Sequence, residues 1–450
     1  MNPNQFAWVT DNMTFVSPLG LGFTLVLCLA LLFLPRRYAI VPVLALTCFM
    51  TMGQRVVLGG LNFTMIRILL LFGWARLAFH GEFRRLKWNA IDICLIAWAI
   101  SGFVAHTILE PSDAAYRLGV AYNCVGTYFL LRFLLRERHD VIHVMRMLAW
   151  FVVPLSILML WEHLSGHNLF AFLGGVPAIS EIREGRIRSQ GPFGHSILGG
   201  TFGATVFPFF YALHFRSGTD RILGYAGMMA SLIIVFSSGS SGPAFAWIFS
   251  VLAFCLWPLR QHMRALRWGL LGLTVLLHLV MKAPVWFLIG RITVFQASTG
   301  FHRAMLIDAA IHNFSEWWLV GTPSTAHWGY ELMDVTNYYI RQGVEGGFLT
   351  LVLFLAVVSY AFGAVGRARK AASRQPKWEQ MMIWSLGAAL LAHAVSFISV
   401  SYFDQNFVSW YLLLAMISHV STMKPSEQFL SVPVRIRRSW RDLQWEGVAQ

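Results

Sequence analysis

The sequence predicts an all-α fold: a polytopic transmembrane helix bundle of about twelve to thirteen spans, with two large outer loops that contain short helices. Three observations carry this. Hydrophobic residues make up 57% of the 450-residue chain and charged residues only 12%, about half the charged share of a soluble domain. Apolar stretches long enough to cross a bilayer recur from one end of the chain to the other. Lys and Arg collect in every second connection between those stretches, as the positive-inside rule requires of loops that stay in the cytoplasm.

Taken in order, the expected spans lie near 17–34, 39–53, 61–79, 90–109, 115–136, 141–161, 195–215, 222–237, 242–258, 267–286, 343–363, 381–401 and 407–422. The basic connections hold Arg36 and Arg37; Arg84, Arg85 and Lys87; Arg136 and Arg138; Arg216 and Arg221; Arg260, Arg264 and Arg267; and Arg367, Arg369, Lys370, Arg374 and Lys377. Residues 1–422 therefore read as one transmembrane domain with the N-terminus outside. Residues 423–450 read as a cytoplasmic basic tail, in which Lys424, Arg435, Arg437, Arg438 and Arg441 alternate with apolar residues suited to the inner leaflet. No basic segment precedes the first apolar run, so no cleavable signal peptide is expected.

The formal charge of +14 would suggest nucleic acid in a soluble protein. Here it is explained by orientation, and no nucleic-acid partner is expected. Cys28, Cys48, Cys94, Cys124 and Cys255 fall inside apolar runs without CxxC spacing, which argues against disulfides or zinc. No DxD, HExxH or P-loop occurs, so the usual signatures of metal-assisted sugar transfer, zinc hydrolysis and nucleotide-driven pumping are missing. Neither a cofactor nor a metal is expected.

This topology places two long loops, 161–195 and 287–342, on the outer face together. The second mixes Arg, His, Asp and Glu with aromatics, a composition that folds, and reads as a cap over an active site. Both loops hold Arg where orientation alone disfavours it: Arg183, Arg186 and Arg188 in the first; Arg291, Arg303 and Arg341 in the second. Arg183 and Arg186 read as a solvated loop face, or as paired with Glu181, Glu184 and Asp308. Arg188 and Arg303, set among glycines and aromatics, suit an anionic ligand, because guanidinium matches phosphate with a fork of donors. Arg67 and Arg117, inside apolar spans, read as snorkelling or as paired within the bundle.

SQGPFGHSILGGTFG, after Arg188, allows close backbone approach before a helix. SSGSSGP at 237–243 is a second outer turn and lacks the spacing of a serine nucleophile elbow. Candidate general bases in the outer loops are His195, His302, Asp308, His312, His327, Glu331, Asp334 and Glu345. Trp317, Trp318, Trp328, Tyr330, Tyr338 and Tyr339 suit either sugar stacking or the interfacial belt.

Several of these stretches together resemble the O-antigen ligase and O-antigen polymerase superfamily of bacterial inner-membrane glycosyltransferases. WEHLSGHNLF (161–170) resembles the span end before that family's first periplasmic loop, and RSQGPFGHSILGG (188–200) its Arg-to-Gly motif. STGFHRAMLIDAA (298–310) resembles the Arg-bearing helix of the second loop, and TNYYIRQGVEGGFLTL (336–351) its His-Asn motif. Ligases of the family carry His immediately before Asn337, where this chain has Thr336. That departure favours a polymerase of exopolysaccharide, capsule or O-antigen repeats, with Asp334 or His327 as base, or with chemistry that rests on Arg and positioning.

The resemblance implies a donor glycan on undecaprenyl pyrophosphate, held by Arg188 and Arg303, with Asp334 assisting the acceptor hydroxyl. Arg291, His195, His327, Asn337, Tyr338, Arg341 and Glu345 would then line the substrate site. It also implies the bilayer and a chain-length-regulating membrane protein as partners. A ligase acting on lipid A core is the nearest alternative. A lipid-linked glycan flippase is a third, disfavoured because the spans offer few acids besides Asp92.

Overall fold

The computed structural model describes residues 13–51, 53–83, 85–291, 299–403 and 405–423. The N-terminal segment 1–12, Arg84, Ser298 at the start of the quoted second-loop motif, and the basic tail from Lys424 onward lie outside the described residues. Among the described residues the fold is all-α apart from two short hairpins and two isolated β-bridges.

The first third contains α1 (Pro18–Phe33), α2 (Val41–Phe49), the hairpin β1 (Arg55–Leu58) and β2 (Leu61–Thr64), α3 (Met65–Phe79), α4 (Ala90–Leu109) and α5 (Ala114–Leu134). Then come α6 (Arg138–Ser165), the hairpin β3 (Glu181–Arg183) and β4 (Arg186–Arg188), α7 (Ser196–His214), α8 (Thr219–Ser237), α9 (Ser241–Cys255) and α10 (Met263–Val280). The second loop folds into α11 (Leu288–Arg291), α12 (Thr299–His312) and α13 (Phe314–Trp317), after which α14 (Tyr338–Ala371), α15 (Lys377–Ser399) and α16 (Gln405–Thr422) close the bundle.

Seven of these helices, α4, α6, α7, α8, α10, α14 and α15, are long and apolar enough to cross a membrane. The remaining expected spans are helical too, but shorter or more polar. The largest differences fall at 39–53 and 61–79. Only Val41–Phe49 is helical in the first, and Leu61–Thr64 pairs as a strand with Arg55–Leu58 in the second. The physical reason is local: Gly59 and Gly60 take positive φ and turn the chain into a hairpin.

Helix starts follow the sequence. Asn89 and Asp92 form a capping box on α4, and Asn337 Oδ1 accepts from Tyr339 and Ile340 N–H at the head of α14. Helices α7, α15 and α16 form the centre, and α7 packs against α8, α9 and α15. Helix α10 has no buried residue and turns Trp268, Leu271 and Leu276 outward, which water would not tolerate but lipid does.

The two ends of the bundle differ chemically. At one end the basic connections are tied by ion pairs: Arg36 to Asp140 at 3.0 Å, Arg76 to Glu82 at 2.8 Å, Arg146 and Arg216 both to Asp220, and Arg138 to Glu379. At the other end both long loops meet. Gln405 Nε2 donates to the Met50 and Pro192 carbonyls, and Ser401 Oγ to the Val335 carbonyl at 2.6 Å.

Helix α14 breaks on entering the bundle. Gly347 has φ +78, and a Cβ there would stand 2.3 Å from the Leu319 carbonyl oxygen. Groups freed by the break bond to the second loop: Phe348 N–H to the Trp318 carbonyl and Thr322 N–H to the Val344 carbonyl, both at 2.8 Å. The loop is thereby fixed to the frame that carries Arg341 and Glu345.

Two residues test the two-ended arrangement, both exposed: Ser324 in the second loop and Ser217 between α7 and α8. In sealed cells, Ser324→Cys is expected to react with an impermeant maleimide from outside, and Ser217→Cys only after permeabilisation. Labelling of both from the same side contradicts the arrangement.

Candidate functional site

The first loop is held down by Glu162, which is 1% exposed near the C-terminal end of α6. Its carboxylate accepts from Gln190 N–H (2.9 Å), Gly191 N–H (2.8 Å) and Ser180 Oγ (2.9 Å). Three donors on one buried carboxylate offset much of its desolvation and clamp both arms of the loop. Hairpin β3–β4 rises from this clamp, and Arg188 at its end points inward toward the 237–243 turn.

Arg188 is 4% exposed. Its Nη2 donates to Ser240 Oγ at 2.7 Å and its Nη1 to Glu181 Oε2 at 3.0 Å, while its Nε is buried without a partner. Ser240 is the N-cap residue of α9 but makes no side-chain cap; its hydroxyl binds Arg188 and donates to the Ser238 carbonyl instead. The start of α9 therefore adds its own partial positive charge to the site.

Arg303, from α12, reaches the same turn. A Cβ on Gly239 would lie 3.1 Å from Arg188 Cγ, and one on Gly242 would lie 3.8 Å from Arg303 Nη2 and 2.5 Å from Ser399 Oγ. The two glycines let both arginines pack onto the turn. Arg303 is 8% exposed, and among the described residues no carboxylate or hydrogen-bond acceptor meets its guanidinium. Burial first, then the nearby Arg183, pulls its pKa down to about 10, so it remains charged at neutral pH. Arg188 is likewise lowered, chiefly by burial.

Arg188, with Arg183 close by, thus has one carboxylate, Glu181, and Arg303 has none among the described residues. Arg183 is exposed, as a solvated loop face requires, and Glu181 turns to Arg188; Arg183 still stands close enough to act on Arg188, Arg303 and His195. Asp308, the acid nearest Arg303 in sequence, accepts from Trp286 Nε1 at 3.1 Å and faces His312 instead. His195 Nδ1 accepts from Ile197 N–H at the start of α7, and its Nε2 lies 3.8 Å from Glu181. Burial and then Arg188 hold its pKa well below the usual imidazole value, at about 4. It is a neutral helix cap, not a base with a free Nδ1.

Beside this cluster runs a cavity of about 640 Å³ between α6 and α8, roofed by Gly185, Arg186 and Ile187. Leu160, Leu232, Ile233 and Phe236 give it an apolar wall, and Ser237 and Gly239 connect it to the arginine turn. Its size falls within the roughly 300–1,000 Å³ of small-molecule sites.

The other expected site residues divide. Tyr338, Arg341 and Glu345 line a separate cavity of about 130 Å³ with Trp98, Arg117 and Tyr402. There Glu345 pairs with Arg117 and Arg341, each at 2.7 Å, so Arg117 is paired within the bundle. Arg67 is also satisfied, by Asn123 Oδ1 and the Asn62 carbonyl. Tyr338 packs against Phe354, Phe397 and Tyr402, and Trp317 donates to the Ala310 carbonyl inside the cap. Neither ring presents a free face for sugar stacking.

Asn337 is occupied in capping α14. His327 is exposed and bound to Glu316 at 2.7 Å, and Arg291 is exposed. Asp334 is exposed, with no side-chain partner among the described residues. Its neighbour Val335 is tied through Ser401 to the strip that carries Ser399, beside Arg303. Ser240 and Glu162 were not singled out from sequence as site residues. For Glu162 the available signal was a lone acid at the end of an apolar span, directly before a glycine-rich loop.

Compared with known proteins, the chain matches no protein-family model and no curated protein.

If Arg303 is kept for a ligand and not for the fold, replacing its unpaired charge should not weaken the protein. Arg303→Met is expected to leave thermal stability unchanged or raise it by about 1–4 kcal/mol, the range for replacing poorly compensated buried charge by apolar volume. A fall of several degrees in Tm, measured in detergent, would show that Arg303 is a structural residue.

Proposed function

We propose that the protein is a membrane glycosyltransferase that polymerises glycan repeats carried on a polyprenyl pyrophosphate, undecaprenyl pyrophosphate in a bacterial inner membrane, at the periplasmic face. The observation that carries this reading is the meeting of Arg188 and Arg303, from two different outer loops, at one turn where Arg303 has no carboxylate partner among the described residues. A buried, uncompensated cation costs several kcal/mol unless an anion joins it. The apolar cavity between α6 and α8 beside it suits a ligand that is anionic at its head and hydrocarbon behind. The motif resemblance supplies the glycan.

In this reading the arginines and the start of α9 bind the donor diphosphate. The acceptor hydroxyl attacks the anomeric carbon, the bond from that carbon to the phosphate oxygen breaks, and polyprenyl pyrophosphate leaves with the electron pair. Charge developing on the leaving group is met by guanidiniums already in place, which is where preorganised donors have most effect. Asp334, exposed and unpaired beside the strip that reaches Arg303, takes the hydroxyl proton. Thr336 carries no titratable group, so it does not compete for that role. In the same reading the chain has its N-terminus outside and its basic tail in the cytoplasm, with further spans among the shorter helices.

The test offers purified protein a short lipid-linked repeat and reads products by chain length. A ladder of repeats is expected; a single transfer to lipid A core would indicate a ligase, and movement across the bilayer without transfer a flippase. Arg188→Lys and Arg303→Lys are each expected to cost about 100-fold in turnover, because lysine keeps the charge and loses the fork. Asp334→Asn is expected to lower turnover with donor binding nearly intact. Full activity in both lysine variants contradicts the clamp, and full activity in Asp334→Asn removes it as the base.

A further inference from the structure

We propose that His106, Glu110 and Asp113 form a binding site for one divalent cation of the zinc and manganese class, at the outer junction of α4 and α5. The spacing builds it. His106 and Glu110 are four residues apart and share a face at the end of α4, where Glu110 N–H still bonds the His106 carbonyl at 2.8 Å. A 3₁₀ turn, Pro111–Asp113, then brings the Asp113 carboxylate back toward them. One donor atom from each of the three lies within 4.8 Å of the others. Around zinc, with bonds of about 2.0–2.2 Å, donor atoms sit roughly 3.4 Å apart, so rotation of two accessible carboxylates by about 1 Å closes the site.

The imidazole is oriented as a metal ligand would be. His106 is buried, its side chain 7% exposed. Its Nδ1 faces the Glu345 carbonyl at 3.3 Å, and a carbonyl only accepts, so Nδ1 carries the proton. Nε2 of the neutral ring is then a lone pair, buried without a hydrogen-bond partner and pointing at Glu110 Oε2, 3.7 Å away. Two acceptors facing each other repel, and a cation between them removes the conflict. An outer hydrogen bond from the distal ring nitrogen to a carbonyl is also the usual way a metal-binding histidine is oriented.

Charge agrees. Glu110, Asp113 and Glu345 carry three negative charges in this network against two positive, on Arg117 and Arg341. One imidazole with two carboxylates suits zinc or manganese better than calcium or magnesium, which favour oxygen donors throughout. Through His106 the cation would brace α4 and α5 against the Arg117–Glu345–Arg341 network. The arginine cluster does not take part.

The experiment uses the full chain in detergent, stripped with EDTA and dialysed. Zn²⁺, Mn²⁺, Ca²⁺ and Mg²⁺ are titrated separately, with heat of binding and Tm as readouts. One equivalent of Zn²⁺ or Mn²⁺ is expected to bind and raise Tm. Glu110→Gln and Asp113→Asn are each expected to lower the affinity at least about tenfold without lowering the Tm of the metal-free protein. The proposal is overturned by absence of saturable binding, by binding that both variants leave unchanged, or by preference for Ca²⁺ or Mg²⁺. It is also overturned if only acidification stabilises the junction, since His106 would then be an imidazolium paired with Glu110.

Discussion

A buried guanidinium that no carboxylate meets among the described residues is the constraint on which this structure turns. Arg303 lies 8% exposed against the 237–243 turn, and Arg188 comes to the same turn from another loop. Like charges brought together in a low dielectric repel strongly, so the arrangement persists only because rigid elements impose it or because an anion completes it. Glu181 neutralises part of the charge and leaves the cluster positive. The same imbalance that burdens the empty fold is what an anionic ligand would find attractive.

Imposing that arrangement is the work of the frame. The Glu162 carboxylate fixes the first loop through three hydrogen bonds, and the Gly347 break stitches the second loop to α14. Each device uses a buried polar contact that would be costly to open, so both loops behave as extensions of the bundle. Helix α9 begins between them, and Ser240, at its N-cap position, gives its hydroxyl to Arg188 instead of capping the helix. Side-chain placement within fractions of an ångström is what a bidentate contact to a diphosphate needs.

Much of this was legible in the sequence. Apolar length and the alternation of basic connections gave the helices and the two chemically different ends. Arg188 and Arg303 stood out because outer loops disfavour Arg unless it has a task. What stayed hidden was long-range pairing. Glu181 was open to every arginine of its loop and bonds Arg188, its cross-strand neighbour, whereas Ser240, 52 residues from Arg188, had no local signal. Asn337 and Tyr338 carry a motif whose first effect here is helix capping and aromatic packing. The stretch 39–53 looked like a span because composition does not register a hairpin beginning at its end. His106, Glu110 and Asp113 passed unnoticed because a single His near the end of an apolar helix is ordinarily a packing residue.

The central claim is that the arginine turn recognises a diphosphate on a hydrocarbon chain, and equilibrium binding tests it most directly. Purified protein is titrated with polyprenyl pyrophosphate and, separately, with the uncharged polyprenol of the same length. The account expects the diphosphate to bind at least about tenfold more tightly, a difference of roughly 1.4 kcal/mol, and Arg303→Met to abolish that difference while polyprenol binding stays. Equal affinity for the two lipids, or a preference for diphosphate that survives in Arg303→Met, would contradict it.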